Sequence, residues 1–275
     1  MKKILFIFLL VLIVSYVSAF DITKNGEPLA DVVLSPNAAE EEKYAAEEFV
    51  RYIKLISGAE LAIKGEAGKG NSIYIGQSSA KAVTDFDFAK LKTDGIFINC
   101  KDNILILAGD KGSGTIYSVY TFLDEYLGVK YLTPKEDYIP KKKTVSVKNI
   151  NKVYVPPFWS REAFYKAFWD NPSFCLKTKH NGHYSYVPEN LGGHNTIYNF
   201  VHNICWIFSP DVYGKEHPEW YALWGSQRTL SQTYFQLCLT NKEMIEELTK
   251  KTLECYEKDP SANIVDLSIP DCGCY

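Results

Sequence analysis

The sequence predicts an α/β protein in two parts, and three observations carry that prediction. Short β-branched runs alternate with helical stripes of apolar residues over residues 20–148. Lys141, Lys142 and Lys143, a solvated turn, and the Val155-Pro156-Pro157 step stiffen the chain and mark a boundary near residue 149. Beyond it, strand and helix signals alternate again, the pattern of a parallel sheet with crossover helices.

The N-terminus reads as an export signal. Lys2 and Lys3 precede an apolar run over residues 4–14, and Val17-Ser18-Ala19 supplies small or tolerated residues for cleavage after Ala19. A secreted or periplasmic protein is expected, with no membrane association once the signal is removed. Loss of Lys2 and Lys3 takes the formal charge from −3 to −5. A mildly acidic chain with no basic run has little to offer a phosphate backbone, so nucleic acid is excluded as a partner. Seven cysteines, all but Cys100 beyond residue 170, are compatible with disulfides in an exported protein, and their odd number leaves one unpaired within the chain. Cys272-Gly273-Cys274 lacks a second pair at zinc-binding spacing, and no metal is expected.

In the first region, residues 31–34 read as a strand, with Asn37 as the cap of a helix that has Glu40 three residues on. Ala45, Phe49, Ile53 and Ile56 follow at helical spacing, and Ser57-Gly58 ends the helix. Residues 72–75, 95–100 and 104–108 are strand runs, the last two joined by a tight turn at Lys101-Asp102-Asn103. The turn over residues 109–115 then enters a helix with Ile116, Tyr120, Leu123 and Leu127 on one stripe, closed by Gly128. This glycine-rich turn invites a phosphate-loop reading. The spacing opposes it: no Lys-Ser/Thr follows Gly114, and Tyr117 stands where a dinucleotide-binding turn needs its third glycine. No cofactor is expected.

The run GSGTIYSVYTFLDEYLGVKYLTP over residues 112–134, with Ala45-Ala46-Glu47-Glu48-Phe49 and Ile73-Tyr74-Ile75-Gly76 upstream, resembles the N-terminal domain of family 67 α-glucuronidases and the second domain of family 20 β-hexosaminidases. That resemblance implies an α/β sandwich, a mixed sheet with helices, which packs on a catalytic (β/α)8 barrel and does not itself hold the catalytic carboxylates.

In the second region, residues 158–164 are a strand candidate, followed by residues 179–186 or 196–201, then 234–239 and 264–269. Thr240, with Glu243 completing a capping box, begins a helix with Ile245, Leu248, Thr252 and Tyr256 on one side, and Asp259-Pro260 stops it. Lys179-His180-Asn181, His202, His217-Pro218-Glu219-Trp220, Gln236-Leu237-Cys238 and the run from Val265 to Asp271 resemble a barrel segment that follows glucuronidase-like domains in secreted bacterial proteins. The resemblance implies the first half of a (β/α)8 glycosidase-like barrel, its site at the C-terminal strand ends. The layout expected is therefore a signal peptide over 1–19, the sandwich over 20–148 and a partial barrel over 149–275. A full barrel needs about 250 residues, so an incomplete chain is expected, with a half-barrel that dimerises as the alternative.

Glycoside hydrolysis usually needs two carboxyl groups, or one and the substrate's own acetamido group. Asp271 follows the last strand candidate, roughly where the family 20 resemblance puts an acidic pair, although Cys272 occupies the second position of that pair. Asp271 is the catalytic candidate; its structural alternative is a loop aspartate that caps the next helix. His202 and His217 can donate to hydroxyls or exchange protons near neutral pH, and His194 fits that role less well. Glu219 is a second acid or a hydroxyl ligand, or else a good first-turn residue behind Pro218. Residues 192–224 also hold Trp206, Trp220 and Trp224, with Trp220 and Trp224 at helical i,i+4 spacing, as stacking platforms or core. Arg161 and Asn181, in or beside the first strands, complete the substrate-binding candidates. The function expected is a glycoside-hydrolase-like protein of polysaccharide or oligosaccharide degradation. The alternatives are a secreted carbohydrate-binding protein without catalysis and a structural module whose aromatic residues are all core.

Overall fold

The computed structural model describes residues 19–231 and 235–271, and the N-terminal run in which an export signal is expected, residues 1–18, lies outside them, as do Tyr234, Cys272 and Cys274. The chain is mixed α/β and divides into two compact units. The first runs to Trp159 and includes Asn190–Gly192; the second comprises Ser160–Glu189 and the chain from Gly193 onward.

The first unit is built on a six-stranded sheet. Its order is Ile150–Tyr154, Ile96–Lys101, Ile104–Gly109, Asn71–Ile75, Ala30–Val33, Ile63–Lys64. The four strands from Ile104–Gly109 onward are parallel, while Ile96–Lys101 and Ile150–Tyr154 run antiparallel to their neighbours. The 148/149 division expected from the lysine run falls before that last strand, which pairs Ile150 with Cys100. Side chains alternate across the sheet. Tyr74, Phe97 and Ile106 join a cluster with Ala80, Phe88 and Leu91 on one face. The alternating residues Ile73, Ile75, Ile98, Leu105 and Leu107 are equally buried on the other.

The Glu40–Ser57 helix buries Ala45, Phe49, Ile53 and Ile56, the stripe read from spacing, and ends at Gly58 with φ 84°. Its cap is Ala39, not Asn37. Ser35 holds Asn37 in a turn through its hydroxyl, and Glu42 accepts the Ala39 N–H at 3.2 Å. The Gly114–Phe122 helix is buried on every side, not along a single stripe. A helix hydrophobic all round belongs between layers: Phe122 meets Phe49 of the first helix at 6.0 Å, and Tyr120 Oη donates to Glu48 at 2.8 Å. A Cβ on Gly109 would lie 2.0 Å from the carbonyl carbon of Gly114. The glycines of this turn thus serve close backbone approach between strand end and helix start.

The second unit uses shorter elements. Its parallel pair is Ile197–Tyr198 with Ile264–Val265, and Leu223–Trp224 pairs with Gln227–Arg228 as a hairpin. Of the two positions open for the second strand, 196–201 contains the observed one. Residues 158–164 form no strand: they follow two prolines, and Phe158, Trp159 and Phe164 are all exposed, with Phe164 at φ 51°. Within 234–239, Leu237 makes a single bridge to Tyr221.

The Lys242–Lys258 helix is capped by Asn241, whose side chain accepts the Met244 N–H at 3.1 Å, one residue later than the expected Thr240. The inward face also differs from the expected stripe. Met244 and Cys255 are buried and Leu248 packs beside them, while Ile245 and Tyr256 face solvent. One residue is about 100° of helix rotation. The core here gathers Ile204, Phe208, Trp220, Tyr221, Phe235, Leu237 and Met244.

Candidate functional site

The parallel pair of the second unit ends at Tyr198 and Val265, and the two segments that leave it, 199–203 and 266–271, are tied together by side chains. Asp266 is the hub. Its carboxylate accepts the Asn203 N–H at 3.1 Å, the Ser268 hydroxyl at 2.7 Å and the Ser268 N–H at 3.1 Å. Asn203, fully buried, returns a bond from its amide to the Asp266 carbonyl at 3.1 Å. The Ser268 hydroxyl in turn accepts the His202 N–H at 2.9 Å.

This scaffold holds His202 with φ at 63°, a conformation that costs a non-glycine residue on the order of 1 kcal/mol. Its Nδ1 lies 2.6 Å from the Ile269 carbonyl. A carbonyl can only accept, so Nδ1 carries a proton and Nε2 is the ring nitrogen turned toward Asp271. Nε2 stands 3.5 Å from Asp271 Oδ2, and the Asp271 side chain is 95% exposed. The arrangement is an imidazole fixed in one tautomer beside an open carboxyl group, suited to proton exchange with a ligand.

A second cluster lies in residues 161–186 of the same unit. Asn181 Oδ1 accepts the Arg161 N–H at 2.9 Å, and Arg161 Nε donates to the Lys179 carbonyl at 2.7 Å. Glu162 accepts the backbone N–H groups of Phe164 at 3.2 Å and Tyr184 at 3.0 Å. A Cβ on Gly182 would meet Glu162 Oε2 at 2.3 Å, so glycine is needed for the carboxylate to enter. The rings so positioned form a group: Phe164, Tyr184 and Phe200 have centroids 5.5 to 6.0 Å apart, and Trp169 stacks on Tyr184 at 4.8 Å. His183 accepts the Ile197 N–H on Nδ1 at 3.0 Å. Burial, with the nearby His194, holds its ring below the usual histidine range.

The sequence and the fold can now be set beside known proteins. Residues 131–275 match the family described as Domain of unknown function (DUF4838). The chain belongs to the DUF4838 family. Its fold is similar to that of a family GH115 4-O-methyl-α-glucuronidase, BtGH115A, with specificity for decorated arabinogalactans, at 13% identity and a TM-score of 0.53. That match covers 90% of this chain and 42% of the other. CpGH84D is matched at 13% identity and a TM-score of 0.42, over 87% of this chain and 40% of that one. The DUF4838 chain thus spans less than half the length of these solved structures. No curated protein matches it. At such identity the likeness to BtGH115A establishes the fold alone, an α/β architecture.

The DUF4838 structure places the residues singled out from sequence in three groups. His202 and Asp271 face each other, and Arg161 and Asn181 are bonded through the backbone of Arg161. His217, Glu219 and Trp220 form the third group: His217 stacks on Trp220 at 3.9 Å and its Nδ1 lies 3.3 Å from Glu219 Oε1. Trp220 is 6% exposed and belongs to the core. Trp220 and Trp224 share no helix, since Pro218–Trp220 is a single 3-10 turn and Trp224 sits in the hairpin. Trp206 is 77% exposed, and His194 approaches the Val187 carbonyl at 3.4 Å. Among the described residues no group of three or more His, Cys, Asp or Glu gathers as a metal site would.

Asp266, Ser268, Glu162, Phe164, Tyr184 and Phe200 were not singled out by sequence reading. A signal existed for the first two: Asp-x-Ser directly after a strand is the spacing of a side-chain-to-backbone turn. The first unit has its own cleft of about 350 Å³, bordered by Ala39, Glu42, Gln77, Ser78 and Lys111. Its buried Glu42 already accepts from Ala39 N–H, Ser78 N–H and the Ser78 hydroxyl, which leaves little of that carboxylate for a ligand.

Proposed function

We propose that the chain is part of an exported glycoside hydrolase that acts on a polysaccharide or oligosaccharide, with the His202–Asp271 pair as its acid–base group. The observation that carries this reading is the pair itself: an imidazole locked in one tautomer against a carboxyl group, at the C-terminal ends of two parallel strands, where the sites of α/β sheets and barrels lie. The glycoside-hydrolase-like fold and the acidic, signal-bearing sequence agree with it.

In this reading residues 149–275 contribute the first strands of a (β/α)8 barrel, and residues 20–148 are its hexosaminidase-domain-2-like companion. One proton, shared between Asp271 and His202, passes to the leaving glycosidic oxygen as the bond to the anomeric carbon breaks. Water adds to that carbon, and its released proton restores the pair. Arg161, Asn181, His217 and Glu219 contribute to substrate binding as donors and acceptors to hydroxyls, and Trp220 supports the His217 ring.

The test is turnover by the complete enzyme of which this chain is part in this reading, since the half-barrel alone is expected to be inactive, on a panel of aryl glycosides together with xylan, arabinogalactan and chitin oligosaccharides. Hydrolysis is expected on at least one, with Asp271→Asn and His202→Gln each lowering kcat about a hundredfold or more. Absence of hydrolysis on every member, or full activity in Asp271→Asn, would overturn the assignment.

A further inference from the structure

Resting on the carbohydrate reading above, we infer that Phe164, Tyr184 and Phe200 form a stacking subsite for one pyranose ring of the substrate chain. The three rings meet edge-to-face, with interplanar angles of 65°, 70° and 71°, and two of them stay exposed, Phe164 at 53% and Phe200 at 36%. Aromatic rings left at the surface of a folded chain forgo burial that core packing would have supplied.

The rings are also held in place. The Glu162 carboxylate clamps the backbone N–H groups of Phe164 and Tyr184, which fixes two rings twenty positions apart in the sequence. Phe164 keeps φ at 51° and the neighbouring Tyr186 keeps φ at 43°, conformations that bulky residues rarely adopt. A platform whose backbone is over-determined in this way is preorganised, which lowers the ordering cost of binding.

Three features select a sugar as occupant. Polar groups stand among the rings: the Tyr184 hydroxyl, and His183, whose Nδ1 accepts from Ile197 and whose Nε2 therefore carries a proton to donate elsewhere. A pyranose offers the matching surface, one apolar C–H face rimmed by hydroxyls, and apolar walls with a few polar groups are the usual make-up of such sites. Phe200 also lies two residues before His202 on the segment that leaves the Ile197–Tyr198 strand, so one segment carries a ring of the platform and the imidazole of the His202–Asp271 pair. A nucleic-acid base would stack equally well, but its backbone would approach a chain of net charge −3 whose platform is anchored on the Glu162 carboxylate.

The experiment is affinity electrophoresis of the full chain in gels containing xylan, arabinogalactan or glycol chitin. The variants are Phe164→Ala, Phe164→Leu, Phe200→Ala and Phe164→Tyr, with Tyr138→Ala in the first unit, where the ring is exposed, as a control and near-UV circular dichroism as the folding check. Retention of the wild type in at least one gel is expected. Phe164→Ala, Phe164→Leu and Phe200→Ala should each weaken it about tenfold, whereas Phe164→Tyr and Tyr138→Ala stay near wild type.

No retention in any gel, equal retention by all variants, or an equal loss in Tyr138→Ala would overturn the subsite. Retention without hydrolysis of any substrate sinks the glycosidase assignment and leaves the subsite standing. Hydrolysis with retention and KM unchanged in the Phe164 and Phe200 variants does the reverse.

Discussion

The two units of this chain reach order by opposite routes. In the first, five of the six sheet strands are four to six residues long and, with an 18-residue helix, carry regular hydrogen-bond ladders, and the Gly114–Phe122 helix is buried outright between layers. In the second, the paired strands are two residues long, and side chains replace the ladders: Asp266, Asn203, Ser268, Glu162 and Asn181 all bond to backbone groups of distant segments. Ladders give a rigid scaffold with few spare polar groups. A loop region knitted by side chains leaves imidazoles, carboxyls and rings at its surface, and that is where the chemistry lies.

The sharpest way to break the comparison is to remove one core ring from each unit. Phe49 is fully buried and contacts Phe122; Phe208 is fully buried and stacks on Tyr213 at 4.7 Å. Each change to alanine should cost about 3–5 kcal/mol. With Phe49→Ala the loss should spread over the cooperative first unit, and hydrogen exchange should rise across its central strands. With Phe208→Ala exchange should rise around residues 204–221 while the six-stranded sheet stays protected. Equal deprotection of the sheet by both variants would show one cooperative body instead of two.

The contrast also explains what could be read in advance. The Glu40–Ser57 helix announced itself through Ala45, Phe49, Ile53 and Ile56 at helical spacing and Gly58 at its end, and the central strands through Ile73, Ile75, Ile98 and Leu105. Periodicity needs several turns or alternations to register. A two-residue strand such as Ile264–Val265 has none, and this is why strands were expected over 158–164 and 234–239 where large apolar residues merely cluster. His202 and Asp271 stood out as residue types in a suggestive stretch. Asp266 and Glu162 did not, because their work is to accept N–H groups from residues 63 and 22 positions away, and no local pattern records that. Trp220 and Trp224 show the complementary failure, since i,i+4 spacing means one face only if the segment is a helix.

A smaller and more local effect is expected from Asp266→Ala. It strands the Asn203 N–H, the Ser268 N–H and the Ser268 hydroxyl, which are partly buried, at a cost of about 2–3 kcal/mol. The first unit should melt unchanged. Any hydrolytic activity should fall as far as in His202→Gln, because His202 loses its tether through Ser268. Asp266→Asn keeps one acceptor oxygen and should recover part of both losses; an Asn variant no better than Ala would assign Asp266 a charge-dependent role instead.

Helix capping allows a finer comparison. Asn241→Ala removes the side-chain acceptor for the Met244 N–H and should cost about 1 kcal/mol, whereas Ala39 offers no side-chain bond, so Ala39→Ser should leave the first unit unchanged or slightly more stable. Urea melts followed by the fluorescence of Trp220 and by far-ultraviolet dichroism would separate the two.

The smallest effect expected is on the acid side of neutrality. Burial holds both His180 and His183 below the ordinary value of 6.5, His180 against the partly opposing charge of Glu162. The unfolded chain therefore binds protons first as pH falls through 6.5, and the folded state is disfavoured by acidification until the lowered folded-state values are passed. Stability of the second unit that is fully present above 6.5 should thus erode as pH falls below 6.5, with no matching loss in the first unit from this source, since all five histidines lie beyond residue 179. His183→Gln offers the Ile197 N–H a replacement acceptor without a titrating ring. Its unfolding midpoint should move less than that of the wild type between about pH 7.5 and 5.5. An identical slope in both proteins would place the acid sensitivity in other groups and remove histidine burial from the account of how the second unit is held.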